Sequence, residues 1–163
     1  MSETAFKTSD QVQGLMVFLS SLSHGLEHVL GRGAATITFR AGRTIGLREK
    51  SDQVTEDIVE ALRIVDQRLQ STGVHWPFEI FQPSTQPGIS FERDGKRVLK
   101  LVFRHCMVRC ALFRYSHEQK QSLCMMNHGM FCGYLQNVLG KRAELLIVHA
   151  GQSACLKELV ITE

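Results

Sequence analysis

The chain has few of the residues that interrupt or staple a fold. Three prolines and one tryptophan occur in 163 residues. So few prolines, with no polar repeat or low-complexity tract, argue against long disordered regions. No apolar run approaches the roughly 20 residues that cross a bilayer. The opening residues, Met1-Ser2-Glu3-Thr4-Ala5, lack the basic-then-apolar layout of a signal peptide. Lys and Arg form no run and the net charge is a mild +3, so nucleic-acid binding has little electrostatic support. Five cysteines are an odd count. They read as buried thiols or metal ligands of a cytoplasmic protein rather than as a disulfide framework. Gly42-Arg43-Thr44-Ile45-Gly46 does not supply a phosphate-loop spacing, and no nicotinamide-binding glycine motif is present.

What is present suits a single globular domain over residues 1–163. The chain is 44% apolar and 21% charged. A chain of this length buries about two-thirds of its unfolded surface. Residues 1–9 read as a loose polar lead, with Asp10 capping a first helix. Apolar residues at 12, 15, 16, 19, 22, 26, 29 and 30 form a helical stripe that Gly31 and Gly33 end. His24 and His28 lie on the opposite face, as a solvated polar surface. Over 34–50, Thr36 to Phe39 favour a strand, but Ala35, Phe39, Gly42 and Gly46 have helical spacing. Helix is the reading taken, with the glycines admitting another backbone. Ser51 or Asp52 starts the next helix, buried along Val54, Ile58, Ala61, Leu62, Val65 and Leu69 and ended by Gly73.

Strand patterns then take over. Phe78 to Phe81 alternate, Pro83 and Pro87 bound a loop, and Asp94-Gly95 joins two strand-forming runs as a hairpin. Cys106 and Cys110 read as buried structural thiols. Residues 124–140 read as a helix, 144–149 as a buried strand and 154–162 as its hairpin partner. Helices first, then antiparallel strands with one helix among them, predict an α+β fold: N-terminal helices on an antiparallel sheet, with a helix inserted before the final hairpin.

Chemistry concentrates between Cys124 and Cys155. His128 follows Cys124 by one helical turn on the same face. His149 ends one strand and Cys155 begins its partner. Two thiolates and two imidazoles make a tetrahedral zinc set. Buried core thiols are the plainer alternative. His75 and Trp76 offer an apolar wall with polar handles, the composition of a small-molecule pocket.

In this unit the sequence resembles the 4-vinyl reductase, or hydrocarbon-binding, domain family. The resemblance rests on Cys124, Gly133-Tyr134, Gly140, the apolar run Leu145 to Val148 and Gly151-Gln152-Ser153-Ala154-Cys155. The resemblance implies a mixed fold shared with vesicle-tethering TRAPP subunits and haem nitric-oxide sensors, a buried apolar cavity, and a homodimer formed through helices. In the aromatic sensors of this kind a zinc sits near the cavity on cysteines and a glutamate. Cys124 and Cys155 match the first and last ligands. The glutamate position falls near Ile147, leaving His128 and His149 to substitute.

The function expected on these grounds is that of a sensor or accessory module for a hydrocarbon or tetrapyrrole-like ligand. His75, Trp76, Phe103 and Tyr134 would line the ligand, and Cys124, His128, His149 and Cys155 would hold a zinc. Partners would be a second copy and another protein for output, with no nucleic acid and no membrane span. The alternatives are an accessory enzyme of tetrapyrrole metabolism and a ligand-free assembly protein.

Overall fold

The Asp94-Gly95 turn adopts positive φ at both residues, 52° and 69°, the geometry that joins two right-twisted strands tightly. It links β2 (Ser90–Arg93) to β3 (Lys96–Arg104) in a computed structural model that describes residues 3–74, 76–84, 87–106, 122–151 and 153–162. β3 is the hub of an antiparallel sheet. One of its edges pairs with β2 and, further along, with the short β1 (Phe78–Ile80). Its other edge pairs with β5 (Ala154–Thr162), which pairs in turn with β4 (Arg142–Ala150). The sheet order is therefore β1-β3-β5-β4, with β2 beside β1.

Side chains on strands alternate between faces. The inner row of β5 is Cys155, Lys157, Leu159 and Ile161. Leu99, Leu101 and Phe103 of β3 and Ala143 and Leu145 of β4 stand in register beside it. That face is covered by α4 (Ser122–Leu139), an apolar helix that buries Phe131, Cys132, Leu135 and Val138. Each such side chain contributes about 1.5–3 kcal/mol on burial.

α2 (Gly33–Arg48) crosses α4 at very short range, which settles the strand-or-helix ambiguity of this segment in favour of helix. Glycines stand on both sides of the crossing. A Cβ on Gly42 would meet the Met126 carbonyl oxygen, one on Gly46 that of Met130, and one on Gly129 that of Phe39. A Cβ on Gly133 would lie 2.6 Å from the Arg43 carbonyl oxygen. Only residues without side chains admit backbones this close. The contact is tied by Asn137, whose Nδ2 donates to the carbonyls of Gly46 and Glu49, both at 2.9 Å.

α3 (Ile58–Ser71) starts later than the sequence reading placed it. Asp57 is its cap, accepting from Val59 N at 2.8 Å and Glu60 N at 3.3 Å. Val54 is therefore outside the helix and exposed, whereas Ile58, Ala61, Leu62, Val65 and Leu69 are buried as expected.

α1 (Glu3–Leu30) begins well before Asp10, so Asp10 does not cap it. Its orientation corrects the natural reading of the apolar stripe. Ser20 and Ser23 are buried, while Val12, Leu15, Leu19, Leu22 and Val29 are 43–78% exposed. Glu27 secures the inward side: its Oε1 accepts from the Ser23 hydroxyl at 3.2 Å and from Ser122 N, at the start of α4, at 2.9 Å. Periodicity identified the apolar face but not what it faces. No helix is long and apolar enough to cross a membrane among the described residues.

Candidate functional site

The alternation of β5 calls for an apolar residue at 157, between Cys155 and Leu159 on the inner face. Lys157 stands there, 4% exposed. Its Nζ lies 2.9 Å from His128 Nε2, 4.2 Å from the centre of the Trp76 ring and 4.3 Å from that of Phe103. His128 is on α4 and fully buried. Its Nδ1 is 3.1 Å from the Leu145 carbonyl oxygen. A carbonyl only accepts, so Nδ1 carries the proton and the Nε2 lone pair receives an N–H from Lys157.

Both groups are shifted by their setting. Burial, then the neighbouring Lys157 charge, push the His128 pKa down to about 3, against a smaller opposing effect of the Leu145 hydrogen bond. Burial pushes Lys157 down to about 8, opposed by the thiols of Cys106, Cys124, Cys155 and Cys132. No carboxylate pairs with Lys157 among the described residues. Two aromatic faces and an imidazole hold an amine that would otherwise call for an acid. Burial also raises the Cys132 thiol to about 12, which leaves it unreactive.

The rings form a box. Trp76 and Phe103 are 4.5 Å apart, Trp76 stacks on His128 at 6.0 Å, and Phe131 meets Trp76 edge-on at 6.1 Å. Phe78 on β1 closes the side, 5.3 Å from both Phe103 and Phe131. Trp76 is 2% exposed, and its indole Nε1 has no hydrogen-bond partner among the described residues. Burying a donor without an acceptor costs about 1–3 kcal/mol. Behind the Leu145 wall a groove of about 240 Å³ opens between α2, α4 and β4, lined by Phe39, Met125 and Leu146 among others.

Of the residues singled out from sequence, Trp76 and Phe103 come together here. His75 lies outside the described residues, as does Cys110. Tyr134 is buried on α4 but turns elsewhere, towards Thr72, Glu49 and Arg68. Cys124 and Cys155 are half-buried and within electrostatic reach of Lys157. His149 is exposed, its ring against Gly151, after a bulge that shifts the register between Ile147 and His149. His128 uses both nitrogens inside the box. Among the described residues no three His, Cys, Asp or Glu side chains form a metal-holding group. The residues present therefore do not fit the four-ligand zinc set.

Lys157, Phe131 and Phe78 were not singled out from sequence. A signal for Lys157 existed: it is the one charged residue in the period-two row Cys155, Lys157, Leu159, Ile161.

No family model matches the chain, and no curated protein matches it. Among solved structures the chain is similar to the phenol-responsive sensory domain of the transcription activator PoxR, solved with phenol. The TM-score is 0.60 at 14% identity, over 90% of this chain and 73% of that one. At that identity the likeness is one of fold: this α+β arrangement is the one found in that sensory domain.

Proposed function

We propose that this chain is a small-molecule sensor module whose ligand is a small aromatic compound bearing an oxygen function, held in the Trp76 box. One observation carries the reading. Among the described residues the Trp76 indole N–H has no acceptor and the Lys157 amine no carboxylate, and both sit among the side chains of Trp76, Phe78, Phe103 and Phe131. An apolar enclosure with a few convergent polar groups is the usual composition of a small-molecule site. The likeness of fold to a domain solved with phenol supports the ligand class. The rings touch one another in this form, so entry needs one to swing aside. Phe78 is the wall with least to hold it, half-buried on a three-residue edge strand.

A ligand-free assembly protein would gain nothing from a buried lysine, a buried histidine and an indole without an acceptor among the described residues, each of which lowers stability. The partner in this reading is a second copy. Val12, Leu15, Leu19, Leu22, Leu26 and Val29 follow a 3-4-3-4-3 spacing, the seam of a coiled coil, and α1 exposes all of them but the half-buried Leu26. The flanking Met16, Phe18 and Gly25 carry no charge that would repel a like helix.

Trp76 is the sole tryptophan. Titration with phenol, followed by indole fluorescence, should give a saturable change and a raised Tm; at one hundred times Kd the added stability is about 2.7 kcal/mol. A flat titration with no thermal shift would sink the proposal.

A further inference from the structure

We infer that the Trp76 box captures aromatic aldehydes covalently, as a reversible imine on Lys157 Nζ, with His128 Nε2 carrying the proton between amine and departing oxygen. The inference rests on the box being a ligand site and names the class of ligand. Three features of geometry lead to it. The amine is a nucleophile held at the ring faces where an aromatic ligand would lie. The acceptor 2.9 Å away is a neutral imidazole whose tautomer is fixed by Leu145, rather than a carboxylate that would keep the amine charged. Cys106, Cys124, Cys155 and Cys132 lie within electrostatic reach of Lys157, and Cys124 and Cys155 are only half-buried.

A lysine desolvated in apolar surroundings is the usual imine-forming residue, because burial favours its neutral, nucleophilic form. Here the setting lowers the amine to about 8. The step balances without any oxidant or reductant. The Nζ lone pair attacks the carbonyl carbon, a C–N bond forms and the C=O π pair moves to oxygen. Both N–H protons pass in turn by way of His128 Nε2 to that oxygen, the first giving the carbinolamine hydroxyl and the second letting it leave as water while the C=N bond closes.

The test uses the whole chain with benzaldehyde and cyanoborohydride, which fixes an imine as a benzylamine. Peptide mapping should place one benzyl group on Lys157, formed at least about tenfold faster than on the exposed Lys50 or Lys96, since burial favours the neutral form of this amine. His128→Gln should slow labelling at Lys157 while leaving labelling at Lys50 unchanged. Labelling of Lys157 no faster than of Lys50 overturns the inference. A parallel titration with benzyl alcohol, which has no carbonyl, separates the two readings. If benzyl alcohol changes Trp76 fluorescence but Lys157 is not labelled preferentially, the box stands and the imine falls. If neither happens, both fall. The mapping is done on the unmodified chain, so the result does not depend on any variant folding.

Discussion

Lys157, on a central strand, donates to His128 on the helix above it, Nζ to Nε2 at 2.9 Å, in the aromatic interior of the domain. The pair has a stability consequence. Removing a buried charge in favour of an apolar side chain of similar length is neutral or stabilising, often by 1–4 kcal/mol. Lys157→Met should therefore raise stability at pH 7 by about 1–2 kcal/mol, after discounting the acceptor left on His128. Denaturant unfolding would show it, and a loss of stability would mean that the amine holds the box together. The same variant should respond less to ligand, so that stability and function move in opposite directions.

The pair also dictates a pH profile. Between about 8 and 10.5 an unfolded lysine keeps its proton and folded Lys157 does not, so unfolding takes up a proton and becomes harder as pH rises. Below 8 both states are protonated and this contribution is constant. For His128 the window runs from 6.5 down to about 3: the unfolded imidazole takes a proton that the folded one refuses, so stability falls as pH falls. Denaturation midpoints measured across pH should show both slopes. In Lys157→Met the upper slope should disappear; if it persists, another group causes it.

The α2–α4 crossing gives a sharp contrast among glycines. Gly42→Ala or Gly129→Ala drives a methyl into a backbone carbonyl, where no rotamer relieves it. A loss of more than about 3 kcal/mol, or no folded protein, is expected. Gly14→Ala and Gly25→Ala on α1 meet nothing within 4 Å and should gain about 0.5–1 kcal/mol from helix propensity. Thermal melts of the four variants distinguish the two groups directly.

Self-association is expected to depend on the outward seam of α1. Leu19→Glu with Leu22→Glu should shift sedimentation from dimer to monomer without lowering the stability of the folded chain, since both side chains face solvent here. A wild-type chain that sediments as a monomer at every concentration would remove the second copy from the functional reading.

Much of the fold was legible in the sequence because local chemistry dictated it. Asp94-Gly95 takes the positive φ that only a few residues tolerate, and Gly31, Gly73 and Gly140 end helices with the same conformation. The spacing of Gly42 and Gly46 announced a close backbone, though not that Gly129 and Gly133 would complete it. The site was harder to read. Trp76 and Phe103 meet through strand register and a helix crossing, and Lys157 joins them only once β5 is placed between β3 and β4. Metal spacing alone did not show what else holds His128. One helical turn does put Cys124 and His128 on a common face, but the imidazole is already held by Leu145 and Lys157.

Glu27 accepts the first backbone N–H of the helix that carries His128, while its own helix turns a leucine seam outward. A twist of α1 about its long axis, imposed by whatever grips that seam, would drag or release the head of α4. One hydrogen bond thus stands between the helix that carries the outward seam and the helix that carries the core imidazole.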